Sequence, residues 1–201
     1  MVRRKMRKGG QKAKGSAFEL AIAKILTEAY YSQGDGEFRR VPASGGWDKR
    51  TAPGDLIPFK YTNGGMVIDK SFPFVVECKN WRDVKHFFSG LYSKESQLFD
   101  WMEQATTDAQ FVGKMPLVIF KLYRQENVVI LQSGDFWKLE SLFGTPGAQY
   151  YELKRFVPKK GRSGLVFILL GDFLDWVDWE IYKLKSNVLF IRSIIKKGEE
   201  V

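Results

Sequence analysis

Two carboxylates and a lysine are spaced so that they can act together on a phosphate. Asp55 ends the turn-forming run Pro53-Gly54-Asp55, and Glu77-Cys78-Lys79 begins 22 positions after Asp55, at the end of the apolar segment Phe74-Val75-Val76. Side chains alternate along an extended chain, so Val75, Glu77 and Lys79 point one way while Phe74, Val76 and Cys78 point the other. Adjoining strands can then present Asp55, Glu77 and Lys79 to one metal ion and one phosphate. Phosphodiester cleavage needs a positioned water, neutralisation of transition-state charge and help for the leaving oxygen. Carboxylates can ligate a hard cation that polarises the phosphate and lowers the pKa of a bound water. A lysine can orient or deprotonate that water, or hold the phosphate as a point charge. Crowded carboxylates repel one another, and a cation lets all of them stay ionised.

The elements that must position these groups follow from periodicity. Residues 15–31 read as a helix, with Phe18, Ile22, Ile25, Leu26 and Ala29 at helical spacing. Glu19 borders that apolar face, and a carboxylate there wants a partner; it can complete the acidic cluster. A strand is expected over 37–42, followed by a polar, glycine-containing loop that holds Ser44 and leads into Asp55. Strands over 55–60 and 66–68 flank Asn63-Gly64, a strong hairpin signal. The strand 74–79 follows, then a helix over 93–109 with Leu98, Trp101, Met102, Ala105 and Ala109 as its buried stripe, then strands over 117–122 and 128–131. A weak internal echo appears further on. Val128 to Leu131 leads to Gly134-Asp135-Phe136, and Leu165 to Leu170 leads to Gly171-Asp172-Phe173, each expected to open a short helix with Asp as N-cap.

Composition narrows the class of protein. At 201 residues, with 44% hydrophobic and 15% aromatic residues, one globular domain is the default. The longest apolar run, Leu165 to Leu170, is too short to cross a bilayer, and no secretory apolar stretch follows the basic N-terminus, so a soluble cytoplasmic protein is expected, in the host cytoplasm if it is viral. One cysteine and one histidine exclude an intrachain disulfide and a Cys/His zinc site. Oxygen ligands favour Mg2+, with Mn2+ able to substitute. Gly10 to Ser16 has the glycine spacing of a phosphate loop but no lysine after Gly15 and no preceding strand, so no nucleotide cofactor is expected. Arg3, Arg4, Lys5, Arg7, Lys8, Lys12 and Lys14 crowd residues 1–14 without an acid and supply most of the net charge of +9. Such an arm suits nucleic acid, with a solubilising tail as the alternative; an anionic membrane surface ranks third, since the arm lacks the apolar face of an interfacial helix, and no membrane partner is expected.

A bare Glu-x-Lys means little, because Glu152-Leu153-Lys154 is a second copy with no Pro-Gly-Asp upstream. The ordered set of helix glutamate, turn-led aspartate and strand-borne Glu-x-Lys says more. In that set the chain resembles the PD-(D/E)xK nuclease superfamily. Lys14-Gly15-Ser16-Ala17-Phe18-Glu19, Arg40-Val41-Pro42-Ala43-Ser44-Gly45-Gly46, Pro53-Gly54-Asp55 and Glu77-Cys78-Lys79 are most similar to the archaeal-type Holliday-junction resolvases. The resemblance covers roughly residues 14–110. It implies an α/β restriction-endonuclease-like fold, with a central mixed β-sheet flanked by helices and a C-terminal elaboration. It also implies a catalytic set of Glu19, Ser44, Asp55, Glu77 and Lys79, with Glu19, Asp55 and Glu77 on the metal. The partner it implies is DNA, in particular branched DNA, cut by a homodimer because paired incisions need two active sites. Arg39 and Arg40 join the basic arm as phosphate contacts. Another nuclease of the same fold, of restriction or end-processing type, and a DNA-binding protein that does not cut are the alternatives. Gln97-Leu98-Phe99-Asp100-Trp101 resembles the Gln-x-x-x-Tyr helix of exonuclease-type relatives, with Trp in place of Tyr. The expected organisation is a flexible basic arm over 1–14, a nuclease core over 15–145 and an extension over 146–201 packed on the same domain.

Overall fold

Alternating and helical patterns sort most of the chain into one layered sheet. The computed structural model describes residues 8–41, 52–81, 97–122, 124–157 and 161–182. In chain order these form α1 (Lys8–Tyr30), β1 (Gly36–Arg40), β2 (Leu56–Thr62), β3 (Gly65–Ile68) and β4 (Phe74–Trp81). Then come α2 (Gln97–Gln110), β5 (Met115–Leu122), β6 (Asn127–Gln132), α3 (Ser133–Phe143), β7 (Tyr150–Val157), β8 (Gly161–Leu169) and α4 (Leu170–Trp176). The eight strands make one sheet in the order β1-β2-β4-β5-β6-β8-β7, with β3 paired to β2. The β4–β5 pair is parallel and the other pairs are antiparallel, so the sheet is mixed. This is the expected α/β architecture, compatible with a restriction-endonuclease-like fold.

The alternation of β4 divides the molecule into two faces. Phe74, Val76 and Cys78 pack into the larger core with Phe18, Ile22 and Leu26 of α1. Tyr30, Phe38, Phe72 and Trp179 add edge-to-face ring contacts there, with centroids 4.8 to 6.1 Å apart; such geometry adds roughly 0.5–1.5 kcal/mol per pair beyond burial. Helix α1 is tied to β1 by a side-chain relay. The Phe38 N–H donates to Thr27 Oγ1 at 2.8 Å, and that hydroxyl donates to the Ala23 carbonyl at 2.8 Å. On the other face α2 buries Leu98, Trp101, Met102, Ala105 and Ala109, the stripe its periodicity predicts. Its partners are Val118, Phe120, Ile130 and Leu165.

Several boundaries differ from expectation for physical reasons. Helix α1 starts at Lys8, earlier than expected, through a segment that lacks an apolar stripe and in which Gln11, Lys12, Ala13 and Lys14 favour a helix while Gly9, Gly10 and Gly15 oppose it, which is why periodicity does not show it. The predicted start of α2 at 93 lies outside the described residues. Strand β7 is not expected from the sequence, because Glu152, Lys154 and Arg155 break its apolar pattern. It is the last strand of the sheet order, where charged residues keep an edge from pairing with other chains. Asp135 and Asp172 are not N-caps. Gln132 and Leu169 hold those positions, without side-chain caps, because each strand runs directly into its helix. Both aspartates sit in the first turn, where a carboxylate still complements the helix dipole. The echo is nonetheless a shared device, since the next residues, Phe136 and Phe173, are both completely buried in the larger core.

Candidate active site

Gly54 fixes the approach of the chain to Asp55. It has φ of +79°, and a Cβ at this position would stand 2.6 Å from the Val76 carbonyl oxygen, so the site demands glycine. The Asp55 N–H donates to that same carbonyl at 2.8 Å, and the Asp55 carbonyl accepts from the Val41 N–H at 2.9 Å. Strand β2 then leaves antiparallel to β4, with Leu56 opposite Val76, which sets Asp55 beside Glu77. The Cys78 N–H donates to Asp55 Oδ2 at 2.7 Å and holds the carboxylate against the strand that carries Glu77 and Lys79.

Glu77 and Lys79 share one face of β4, as their alternation requires. Lys79 Nζ donates to Glu77 Oε1 at 2.5 Å. Gln104, on α2, spans the pair: its Nε2 donates to Glu77 Oε1 at 2.7 Å, and its Oε1 accepts from Lys79 Nζ at 3.1 Å. Glu77 is only 3% exposed, so these bonds compensate a carboxylate taken out of water. Sequence reasoning misses Gln104. The helical glutamine it singles out, Gln97, is exposed and lies two turns earlier on the same helix. The available signal is the heptad spacing from Gln97 to Gln104, which keeps both near one stripe of the helix.

The electrostatics are those of two carboxylates that cannot both stay charged unaided. Burial first, and then the charge of Glu77, push Asp55 up to about 7 from an ordinary 3.8, against the lowering effect of the Cys78 N–H. A bound divalent cation relieves that repulsion, and the all-oxygen donor pair suits a hard ion that keeps several of its waters. Among the described residues no three His, Cys, Asp or Glu side chains converge closely enough to enclose a metal ion. The Cys78 thiol, on the opposite face of β4, is buried and pushed well up by burial and the surrounding carboxylates.

Glu19 lies apart from the trio. It forms a close ion pair with Arg40 Nε, whose side of the sheet is that of Phe38 and Leu56 under α1. Its charge still reaches Asp55, which it raises more weakly than Glu77 does. Arg39 points to the other face, with its guanidinium bonded to Glu37 and 5.7 Å above the Phe59 ring. Lys14 is exposed on α1. Ser44, Arg3, Arg4, Lys5 and Arg7 lie outside the described residues, and Lys8 and Lys12 are described only as backbone of α1. The structure thus brings together Asp55, Glu77 and Lys79 of the predicted set, adds Gln104, and sets Glu19 with Arg40 at their margin.

A mixed sheet with helices on both faces, an aspartate entering one strand and Glu-x-Lys on the next, defines a nuclease of the PD-(D/E)xK type. Residues 10–170 match the family model described as "Phage putative PDDEXK endonuclease", and the chain belongs to that family. Nucleases of this type use divalent metal ions. No curated protein and no solved structure gives a significant match. Among the described residues no helix is long and apolar enough to cross a membrane.

Proposed function

We propose that this protein is a Mg2+-dependent endodeoxyribonuclease that acts on branched DNA as a homodimer, in the cytoplasm of a phage's host. The observation that carries the reading is the set of Asp55, Glu77 and Lys79 on one face of two adjoining strands, with Gln104 of α2 bonded to both Glu77 and Lys79. Asp55 and Glu77 would hold the cation, with Glu19 turning in from α1 once it leaves Arg40. Bound there, the cation supplies Lewis acidity toward the scissile phosphate and its attacking water. Lys79, held between Glu77 and Gln104, aims one ammonium at the phosphate or the water. Ser44, outside the described residues, belongs to the same proposed set. Arg3, Arg4, Lys5, Arg7, Lys8, Lys12, Lys14, Arg39 and Arg40 would hold phosphates and fix the register of the duplex without reading its sequence.

The test is cleavage with Mg2+ and with Mn2+ of a four-way junction, a fork, a linear duplex and a single strand of matched sequence. Branched substrates should be cut fastest, excess chelator should stop cleavage, and light scattering should give a dimer mass. Equal rates on duplex and junction would replace the branched-DNA reading with a general nuclease. No cleavage of any substrate would leave a DNA-binding protein of this fold.

A further inference from the structure

We propose that a groove running from the catalytic face toward Lys70 and Lys114 receives an unpaired nucleic-acid strand next to the scissile phosphate. The groove encloses about 460 Å³ and has Ile57, Ile68, Val75 and Val112 among its walls, with Lys70 and Lys114 lining it. Pro53, which opens the turn into Asp55, lies at its catalytic end. Val75 is on the same face of β4 as Glu77 and Ile57 stands on β2 across from it, while Leu56 and Phe74, which also line the groove, belong to the α1 side, so the groove lies in the opening between β2 and β4 and borders the surface that carries the carboxylates. Met115 pairs with Phe74, which sets Lys114 level with Pro73, four positions along the strand from Glu77. That is about 13 Å at roughly 3.3 Å per residue, or about four stacked nucleotides at ~3.4 Å each.

The chemistry of the groove fits a single strand. Ile57 and Val75 are buried behind the wall, while the part-exposed Pro53, Ile68 and Val112 offer apolar surface to a base or sugar, and the ammonium groups beside them hold phosphates. Its volume is that of a pocket for one small ligand, too small for paired DNA. The nearby acids are already engaged. Asp69 accepts from the Tyr31 hydroxyl at 2.8 Å and from the N–H and hydroxyl of Ser71 at 2.8 and 2.5 Å. Glu37 is bonded to Arg39, whose guanidinium lies over Phe59, in the same apolar cluster as Ile57. Lys114 is the half-buried member of the lysine pair, and its pKa is lowered chiefly by burial, opposed by Asp69 and reinforced by Lys70. A phosphate between the two lysines would compensate both. This proposal deepens the nuclease reading and rests on it, because the centre at Asp55 and Glu77 is what gives the groove its substrate.

The test measures binding in excess chelator, so that cleavage is not required. The probes are a fluorescent blunt duplex and the same duplex with a single-stranded overhang of either polarity. The full-length protein should bind one overhang about tenfold more tightly than the blunt duplex, a preference of the size that one or two stacked bases give. Lys70→Gln with Lys114→Met should abolish the preference and lower the salt slope on that overhang by ~0.7 for each phosphate no longer neutralised. Blunt-duplex affinity should not change. Lys70→Gln alone, at an exposed position that cannot disturb folding, should remove part of the preference. Equal affinity of the wild-type protein for blunt and tailed DNA would overturn the proposal, as would a preference that survives both substitutions or an equal loss on both probes. Cleavage with Mg2+ is scored separately. A wild-type protein that prefers tailed DNA but cuts nothing sinks the catalytic reading alone, while one that cuts DNA with no preference sinks the groove alone.

Discussion

The two faces of β4 put adjacent residues of one strand to opposite uses. Toward α1 the strand presents Phe74, Val76 and Cys78 to a closed aromatic core. Toward α2 it presents Val75, Glu77 and Lys79, and there a buried carboxylate is balanced by a lysine and an amide. The first face accumulates apolar burial and edge-to-face contacts. The second holds charges that weaken the fold unless they are compensated, with Asp55 lifted to about 7 as its clearest sign. The α1 face thus supplies the rigidity that holds the α2 face in a costly arrangement. Substitutions should therefore separate cleanly into those that remove activity and those that remove stability.

The largest effect is expected on the α2 face. Asp55→Asn, Glu77→Gln and Lys79→Ala should each lower DNA cleavage to about a thousandth of wild type or less, while DNA binding in chelator is kept. Asp55→Asn should also raise the melting temperature of the metal-free protein, because it removes a buried like-charge contact. Wild-type cleavage by any of the three would break the assignment of chemistry to this face.

On the α1 face the expected order is reversed. Phe72 is completely buried and touches the rings of Tyr30, Phe38 and Phe74. Phe72→Ala should cost about 3–5 kcal/mol, a fall of roughly 10 °C in Tm for a chain of this size. Below its melting point the variant should cut DNA at close to the wild-type rate. A large loss of rate in protein that is fully folded would show that the faces are not separable.

How much of this contrast is legible in the sequence depends on the range of the interaction. Alternation along Phe74–Lys79, the helical stripe from Leu98 to Ala109 and the Asn63-Gly64 turn are local patterns, and each appears where periodicity and turn chemistry put it. Gln104 reaches Glu77 across 27 positions through the packing of α2 on β4, and no local pattern encodes which side of a helix a distant strand will meet. Glu19, from its place beside an apolar stripe, reads as a member of the acidic cluster. Its partner Arg40 lies 21 positions away on β1, and the ion pair depends on how α1 crosses that strand. Strand β7 is hidden because an edge strand needs charges that erase the alternating pattern.

Asp55 makes the contrast measurable through pH. Its pKa is raised in the folded protein, so between about 4 and about 7 the native state keeps a proton that the unfolded chain has lost. Its contribution to stability is therefore full below that window, declines as pH rises through it, and stays low above it. In metal-free protein the melting temperature should fall from pH 5 to pH 7.5 by more in wild type than in Asp55→Asn. Saturating Mg2+ should shrink that difference, because a cation stabilises the ionised carboxylate. Identical slopes for the two proteins would mean that Asp55 is not strained by its neighbours.

A smaller effect is expected at Glu19, at the margin between the faces. Glu19→Gln keeps the size and much of the hydrogen bonding to Arg40 but removes the charge. Stability should fall by roughly 1–3 kcal/mol, because the mostly buried Arg40 loses its counter-charge but keeps a hydrogen-bond acceptor in the amide. If the proposed movement of Glu19 toward the cation takes place, cleavage by the variant, assayed well below its melting point, should need a higher Mg2+ concentration for half-maximal rate. An unchanged Mg2+ titration would leave Glu19 as a structural partner of Arg40 and reduce the centre to Asp55, Glu77 and Lys79.

The smallest effect belongs to Cys78, and its smallness is the sharpest test of the two-face description. The residue stands between Glu77 and Lys79 in sequence, so a description by sequence proximity would place it in the active site. In the fold its side chain enters the α1 core, while its backbone N–H alone reaches the site by donating to Asp55. That N–H survives any substitution except proline, and the thiol, buried and pushed well up, is too little ionised at neutral pH to act as a nucleophile. Cys78→Ala should therefore keep the wild-type cleavage rate and lose about 1 kcal/mol of stability for the missing sulfur. Thiol alkylation followed by mass should leave the native protein unlabelled and label the unfolded one. Rapid labelling of native protein, or a cleavage rate that follows the thiol, would put Cys78 on the catalytic face and undo the alternation on which the whole assignment of Glu77 and Lys79 depends.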